Sequence, residues 1–217
     1  QFENWKQIGE KYIHSFGVTG KKTLITDFIH FWLRGRELGM ADEFGNYCLE
    51  YKAAVEERFS INDHNKLNYA FHLDAGRYAA FLRARAEARG VQRVEGKIAE
   101  VQQNPESGFI TALKMESGRE IPGDLFLDCT GMRGLLIEQT LQTGFEEWGH
   151  WLPCDSAIAL QTETTAPAVP YTKSIAHHAG WRWQIPLQHR VGNGLVFSSR
   201  YLSQDKAFNM LLSSVDG

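Results

Sequence analysis

The segment Gly180-Trp181-Arg182-Trp183-Gln184-Ile185-Pro186 decides how the chain is read. Strand alternation places Trp181, Trp183 and Ile185 on one face, with Arg182 and Gln184 on the other. The first face is a rigid and largely apolar wall. Pro186 has no N–H to give a ladder, so it marks the strand's exit. Taken alone, the pair of tryptophans also suits a plain buried strand edge, because tryptophan is usually drawn into a core. A few residues on, Gly192-Asn193-Gly194 has hairpin-turn composition and predicts a turn between Ile185 and a strand from Leu195 to Ser199. Gln204 to Leu212 then reads as an amphipathic helix.

Upstream, the middle third is the most regular part. Tyr69 to Asp74 reads as an extended lead into a helix from Ala75 to Arg89, with Asp74 as N-cap and Gly90 in the C′ position. A strand from Val91 to Glu95 is expected to stack on it as in a βαβ unit. Ile98 to Gln103, Gly108 to Met115 and Arg119 to Ile121 are separated by turn residues and predict a three-stranded antiparallel meander. Asp124 to Cys129 reads as a short strand of a parallel sheet, buried on both faces, that ends in Thr130-Gly131-Met132-Arg133-Gly134 and enters a helix at Leu135. Small residues at such a strand-to-helix junction can bring backbone N–H groups against a phosphate or a flavin, though a plain β-to-α turn has the same composition.

The first third is helical in pattern. Leu24 to Leu33 carries Leu24, Phe28, Phe31 and Trp32 at helical spacing with Thr23 as N-cap, and Asp42 to Phe59 predicts a second helix. Polar Ser60 to Asn68 ends the pair. Residues 5–20 have no clear period and read as a loop or irregular strand.

Composition bounds the function. The 217 residues are 43% apolar and 23% charged with a net charge of −3, an ordinary globular balance without the basic patch that nucleic acid requires. No run approaches the roughly 18 apolar residues of a membrane helix, and the first ten residues do not resemble a signal peptide, so a cytoplasmic protein is expected. Cys48, Cys129 and Cys154 are widely spaced and read as small buried hydrophobes rather than a disulfide or zinc framework. The start at Gln1 and the stop just after a helix read as an internal piece of a longer enzyme.

Together, Asn4-Trp5, His14-Ser15-Phe16-Gly17, Tyr69 to Ala75, Asp124 to Cys129 with Gly131, Arg133, Gly134, Leu135, Leu136 and Ile137, and Gly180 to Pro186 with Phe197-Ser198-Ser199 resemble the tryptophan-halogenase branch of the flavin-dependent halogenases. The likeness spans essentially the whole chain. It implies an α/β fold: an FAD-binding module of the flavin monooxygenase type, with a parallel sheet and an antiparallel meander, and an attached helical and mixed-β substrate region. Residues 1–68 would be the substrate-side helical region, 69–142 part of the FAD-binding module, and 143–217 the mixed-β region carrying the Trp-x-Trp-x-Ile-Pro motif.

The chemistry implied is that of reduced FAD, supplied by a separate flavin reductase, and oxygen forming a flavin hydroperoxide. Chloride or bromide attacks it to give hypohalous acid, which halogenates tryptophan or another indole. The resemblance allows a homodimer and implies a role in antibiotic biosynthesis. Carried over by position, Ile98 would contact the cofactor's adenine end, and Thr130 and Gly131 would pass the flavin. His14 and Phe16 would sandwich the indole, and Trp181, Trp183 and Ile185 would wall the tunnel. The family's dinucleotide fingerprint and catalytic lysine are expected upstream of Gln1, and its glutamate beyond Gly217. No catalytic residue is therefore assigned within the chain, and the 217 residues alone are expected to be inactive.

Other constellations are weaker. His177, His178 and His189 lack metal-ligand spacing, and no Gly-x-Ser-x-Gly elbow is present. An FAD-dependent aromatic hydroxylase would share the cofactor module without the tryptophan wall, and a non-catalytic aromatic-binding module would keep only a pocket.

Overall fold

The computed structural model describes residues 1–61 and 67–215. In chain order the elements are β1 (Phe2–Glu3), β2 (Lys11–Tyr12), α1 (Phe28–Glu37), α2 (Leu49–Val55), α3 (Ala75–Glu87), β3 (Ile98–Gln103), β4 (Ile110–Met115), β5 (Glu120–Pro122), β6 (Ser156–Thr162), β7 (Lys173–His177), β8 (Gly180–Pro186), β9 (Val191–Phe197) and α4 (Gln204–Ser213). They form two compact units, one of Gln1–Ala75 with Trp151–Gly217 and one of Gly76–His150. The class is α/β, with one mixed sheet and one antiparallel sheet.

The first unit is built on a six-stranded sheet in the order β2-β1-β7-β8-β9-β6. Among the described residues only β1 and β7 run parallel in it. Registered residues share a face, so Tyr12, Phe2, Ser174, Trp183, Gly194 and Ala159 form one row across all six strands. The opposite face is the core. Leu195 and Phe197 of β9 are buried there against Ala207 and Leu211 of α4, with Ile158 and Leu160 of β6 closing the side. Asp155 ties the ends of β6 and β9, accepting from the Ser199 N–H at 2.8 Å and from its hydroxyl at 2.6 Å.

Gly192-Asn193-Gly194 is not the turn its composition suggests. All three lie within β9, and the chain reverses at Leu187 to Arg190, where the Leu187 N–H meets the Arg190 carbonyl at 2.9 Å. Packing overrides turn propensity here, because a Cβ on Gly194 would fall 1.9 Å from the Trp183 ring.

Two helical expectations shift. Thr23 does not cap a helix. Its hydroxyl donates to the Thr26 carbonyl at 2.9 Å and accepts from the Thr26 N–H at 3.2 Å, the local bonding by which threonine competes with a helix, and α1 starts at Phe28. The helix expected from Asp42 to Phe59 is split into a 3₁₀ turn, Phe44–Tyr47, and α2, because Cys48 between them is extended (φ −118°, ψ 122°). The Ser60 to Asn68 stretch lies partly outside the described residues.

In the second unit α3 and the meander β3-β4-β5 form as the sequence predicts. Asn104 shapes the first turn, its Oδ1 accepting from the Glu106 and Ser107 N–H groups at 2.9 Å each. The strands expected at Val91 to Glu95 and Asp124 to Cys129 are absent from the described residues. Neither finds a ladder partner among the described residues, and without one a strand's polar backbone gains nothing from pairing. Leu125 and Leu127 consequently remain 81% exposed. The helix expected at Leu135 is a π-helical turn, Leu135–Thr140, entered through Gly134 in the left-handed conformation.

Leu195 is fully buried between β9 and α4. Leu195→Ala in the full-length protein is expected to cost about 2 to 5 kcal/mol in a denaturant titration. A loss below about 1 kcal/mol would place the core elsewhere.

Candidate functional site

The aromatic wall forms as the alternation requires. Trp181 and Trp183 have ring centroids 6.1 Å apart and tilted by 56°. Trp5 extends the wall, 6.4 Å from Trp181, and its indole N–H donates to the Ser174 carbonyl at 3.0 Å. Phe2 joins the group, edge-on to Trp5 and stacked on Tyr12. The wall is therefore a five-ring set carried by β1, β2, β8 and the loop after β1.

Beside it lies a cavity of about 260 Å³, bordered by Trp183, Ile185, Leu73, Leu187, Gln161 and Arg190. Its rim is clamped by the Tyr69 to Asp74 segment. His72 Nδ1 is 2.9 Å from the Pro186 carbonyl, so that nitrogen carries the proton, and in the neutral ring Nε2 accepts from the Thr172 hydroxyl at 3.1 Å. Asp74 Oδ2 is 3.3 Å from both Arg190 Nη2 and His189 Nε2. The turn between β8 and β9 is thereby held by the residues that lead into α3. Sequence reading gave this segment a lead into the helix, with Asp74 as its N-cap, but no role at the wall, and only partners more than 100 residues away reveal one.

His14 and Phe16 lie in coil in the same unit and point to solvent, Phe16 being 73% exposed. Neither makes a ring contact among the described residues. They flank Ser15, whose hydroxyl is 3.3 Å from the Cys48 thiol. A Cβ on Gly17 would fall 1.9 Å from Glu50 Oε2, so the loop is seated tightly on α2. Glu50 also accepts from the Asn68 backbone and side-chain amides at 3.0 Å each, and the backbone bond is the main reason its carboxyl titrates lower than usual. Cys48 and Glu50 thus anchor the loop between the two exposed rings. Of the cysteines only Cys48 is buried; Cys129 and Cys154 are exposed, contrary to the sequence reading, because the segments that carry them pack against little else.

The remaining expected residues belong to the second unit. Ile98 opens β3, an edge strand that leaves half its backbone polar groups turned away from β4. Thr130 and Gly131 precede the π-helical turn. Asp128 Oδ1 accepts from the Thr130 hydroxyl at 2.7 Å and its N–H at 3.1 Å, and Oδ2 accepts from the Leu136 and Ile137 N–H groups at 2.8 and 3.0 Å. The Leu135 N–H goes to Thr130 Oγ1 at 2.8 Å. These bonds, led by that from Ile137, pull the Asp128 carboxyl down to about 2. The donors that would greet a phosphate are therefore filled by a carboxylate of the same charge. Gly131, by contrast, is left-handed (φ +67°) with open space where a Cβ would stand. The backbone at Gly131 is thus left open, while the N–H groups that follow it are already taken.

No group of three or more His, Cys, Asp or Glu that could hold a metal occurs among the described residues. Nor is any described helix long and apolar enough to cross a membrane.

The tryptophan halogenase family model matches residues 1–217. The structure is similar to part of a flavin-dependent halogenase from Xanthomonas campestris, with a TM-score of 0.95 and 53% identity over 100% of this chain and 44% of that one. A flavin-dependent halogenase from a Brevundimonas species aligns with a TM-score of 0.92 and 43% identity over 99% of this chain and 45% of its own. A tryptophan 6-halogenase from Streptomyces albogriseolus is 36% identical over 95% of this chain and 43% of its own length. The chain belongs to the tryptophan halogenase family, and it spans less than half the length of these relatives.

Two outcomes follow from the anchors. Asp128 titrates lower in the folded chain than the usual 3.8, so its contribution is complete above about pH 4 and is lost as pH falls towards 2. Amide protection at Leu136 and Ile137, corrected for intrinsic exchange, should fall over that window, and Asp128→Asn should abolish the dependence; protection unchanged down to pH 2 would contradict the assignment. Glu50→Ala should raise amide exchange in residues 14–17 and 68–71 together. Exchange rising in only one of the two segments would show that Glu50 does not join them.

Proposed function

We propose that the chain is part of an FAD-dependent halogenase that chlorinates or brominates tryptophan or another indole. The observation that carries this reading is the wall of Trp181, Trp183 and Ile185, formed on one strand face in a chain that belongs to the tryptophan halogenase family. Flavin dependence is stated for the Xanthomonas and Brevundimonas relatives, and a tryptophan 6-halogenase activity for the Streptomyces one.

In this proposal residues 69–142 are part of the cofactor module. Gly131 takes the ring edge, Thr130 fixes the turn that presents it, and Ile98 offers its edge-strand backbone to the adenine end. Residues 1–68 and 143–217 form the substrate side. Reduced FAD, delivered by a separate flavin reductase, supplies with oxygen and halide the electrophilic halogen. What this chain's own residues do is bind, orient and exclude. The tryptophan wall presents apolar, rigid surface that keeps water and unbound arenes from the reagent's path. His14 and Phe16, held by the Ser15–Cys48 and Gly17–Glu50 contacts, offer two exposed faces between which an indole stacks. No group on this chain is assigned proton transfer. A cytoplasmic location and a homodimer belong to the same proposal.

The test is the full-length enzyme with FAD, a flavin reductase, oxygen, chloride or bromide, and tryptophan or indole. The expected product is the haloarene, recognised by its isotope pattern; a hydroxylated product or none overturns the reading. Within that assay Trp181→Ala should lower haloarene formed per flavin reoxidised while FAD binding is kept, with a local stability loss of about 3 to 5 kcal/mol. Phe16→Ala should raise KM for the arene about 2- to 12-fold, the loss of one stacked ring, and broaden the halogenated positions. An unchanged KM with an unchanged product pattern would remove Phe16 from the substrate site.

A further inference from the structure

We propose that Gly194 is a positioning residue of the wall, a glycine whose missing side chain fixes how the Trp183 indole lies; the functional part of this inference rests on the halogenase reading. Gly194 stands directly opposite Trp183 in the β8–β9 ladder. A Cβ built on it would fall 1.9 Å from Cζ2 and 2.1 Å from Cη2 of that ring, where carbon atoms prefer about 3.5 to 4.0 Å. The indole occupies the space that any other side chain would need.

The backbone gives no separate reason for glycine at this position. Gly194 is not among the residues with positive φ. Gly180, at the other end of β8, is the contrasting case. It has φ +156°, and a Cβ there would meet the Val196 carbonyl oxygen at 2.1 Å, so its glycine serves the main chain.

The neighbouring positions sharpen the point. Beyond Gly194 the row continues with small Ala159, and on the near side of Trp183 it has Ser174, so the strip under and beside this ring is kept low. Trp181 instead faces Val196. Val196 carries a full side chain where Gly194 has none, and the two rings are tilted by 56° to each other. The missing side chain opposite Trp183 therefore selects that ring's orientation. Because Trp183 also borders the cavity with Ile185, Leu73, Leu187 and Arg190, a ring lifted off β9 would change the shape of that space.

The experiment is a double-mutant cycle in the full-length enzyme with Gly194→Ala, Trp183→Leu and the pair. Near-UV circular dichroism and the thermal midpoint are read for all four proteins, together with haloarene formed per flavin reoxidised. Gly194→Ala is expected to shift the tryptophan bands, lower the midpoint and reduce coupled product about tenfold or more, as misplacement of a reaction-guiding surface does. In the Trp183→Leu background the same substitution should change neither midpoint nor coupling. Equal losses in both backgrounds would overturn the proposal. Should Gly194→Ala fail to fold, recovery of fold in the pair supports it and failure of the pair overturns it. If the parent enzyme halogenates no indole, the halogenase reading falls, while non-additivity in the dichroism and the midpoint still decides whether Gly194 sets Trp183.

Discussion

The register between β8 and β9 is the constraint on which the first unit depends, because it is read from both faces at once. On one face Trp183 lies over Gly194; on the other, Arg182 is opposite Leu195, which is buried under α4. A slip of one residue would either turn the tryptophans towards α4 or drive Leu195 and Phe197 out of the core. Neither face alone is so restrictive. A low residue under a large ring and a buried leucine beneath a helix must coincide, and together they leave one alignment.

That same constraint explains where the sequence was readable and where it was not. The meander was legible because its determinants are local, from Asn104 in one turn to Gly118 in the next, and local chemistry is written in order along the chain. The alternation of Trp181, Trp183 and Ile185 was legible for the same reason. Gly192-Asn193-Gly194 was misread because its best local use is a turn, while its actual use is set by a ring on the neighbouring strand. The strands expected at residues 91–95 and 124–129 show the complementary error. Composition recognises a segment fit for a sheet but cannot supply the partner, and with no partner among the described residues Leu125 and Leu127 stay exposed.

The candidate site was legible in its rings and illegible in its supports. His14 and Phe16 were marked by the family resemblance, yet what holds their loop is Cys48 and Glu50, more than 30 residues away and unremarkable in sequence. Cys48 read as a filler and is in fact the extended residue that breaks the expected helix, so one residue explains both the wrong helix boundary and the loop's anchor. His72 likewise carries no local signature. Its two ring nitrogens gain meaning only from Pro186 and Thr172. Hubs of this kind are pairwise facts about a folded chain, which periodicity does not encode.

Asp128 carries the argument about the cofactor junction one step further. A strand-to-helix turn with small residues ordinarily suggests an anion cradle, since its first N–H groups lack partners. Here the chain provides its own anion: Asp128 takes the Thr130, Leu136 and Ile137 N–H groups, and Thr130 Oγ1 takes that of Leu135. A second negative group at those donors would displace a carboxylate held well below its ordinary range and would be repelled by it. What remains open is the backbone at Gly131, where a Cβ would meet no other atom within 4 Å. The turn is thus stabilised by the bonds that fill the donors a phosphate would need, while the backbone at Gly131 is left open.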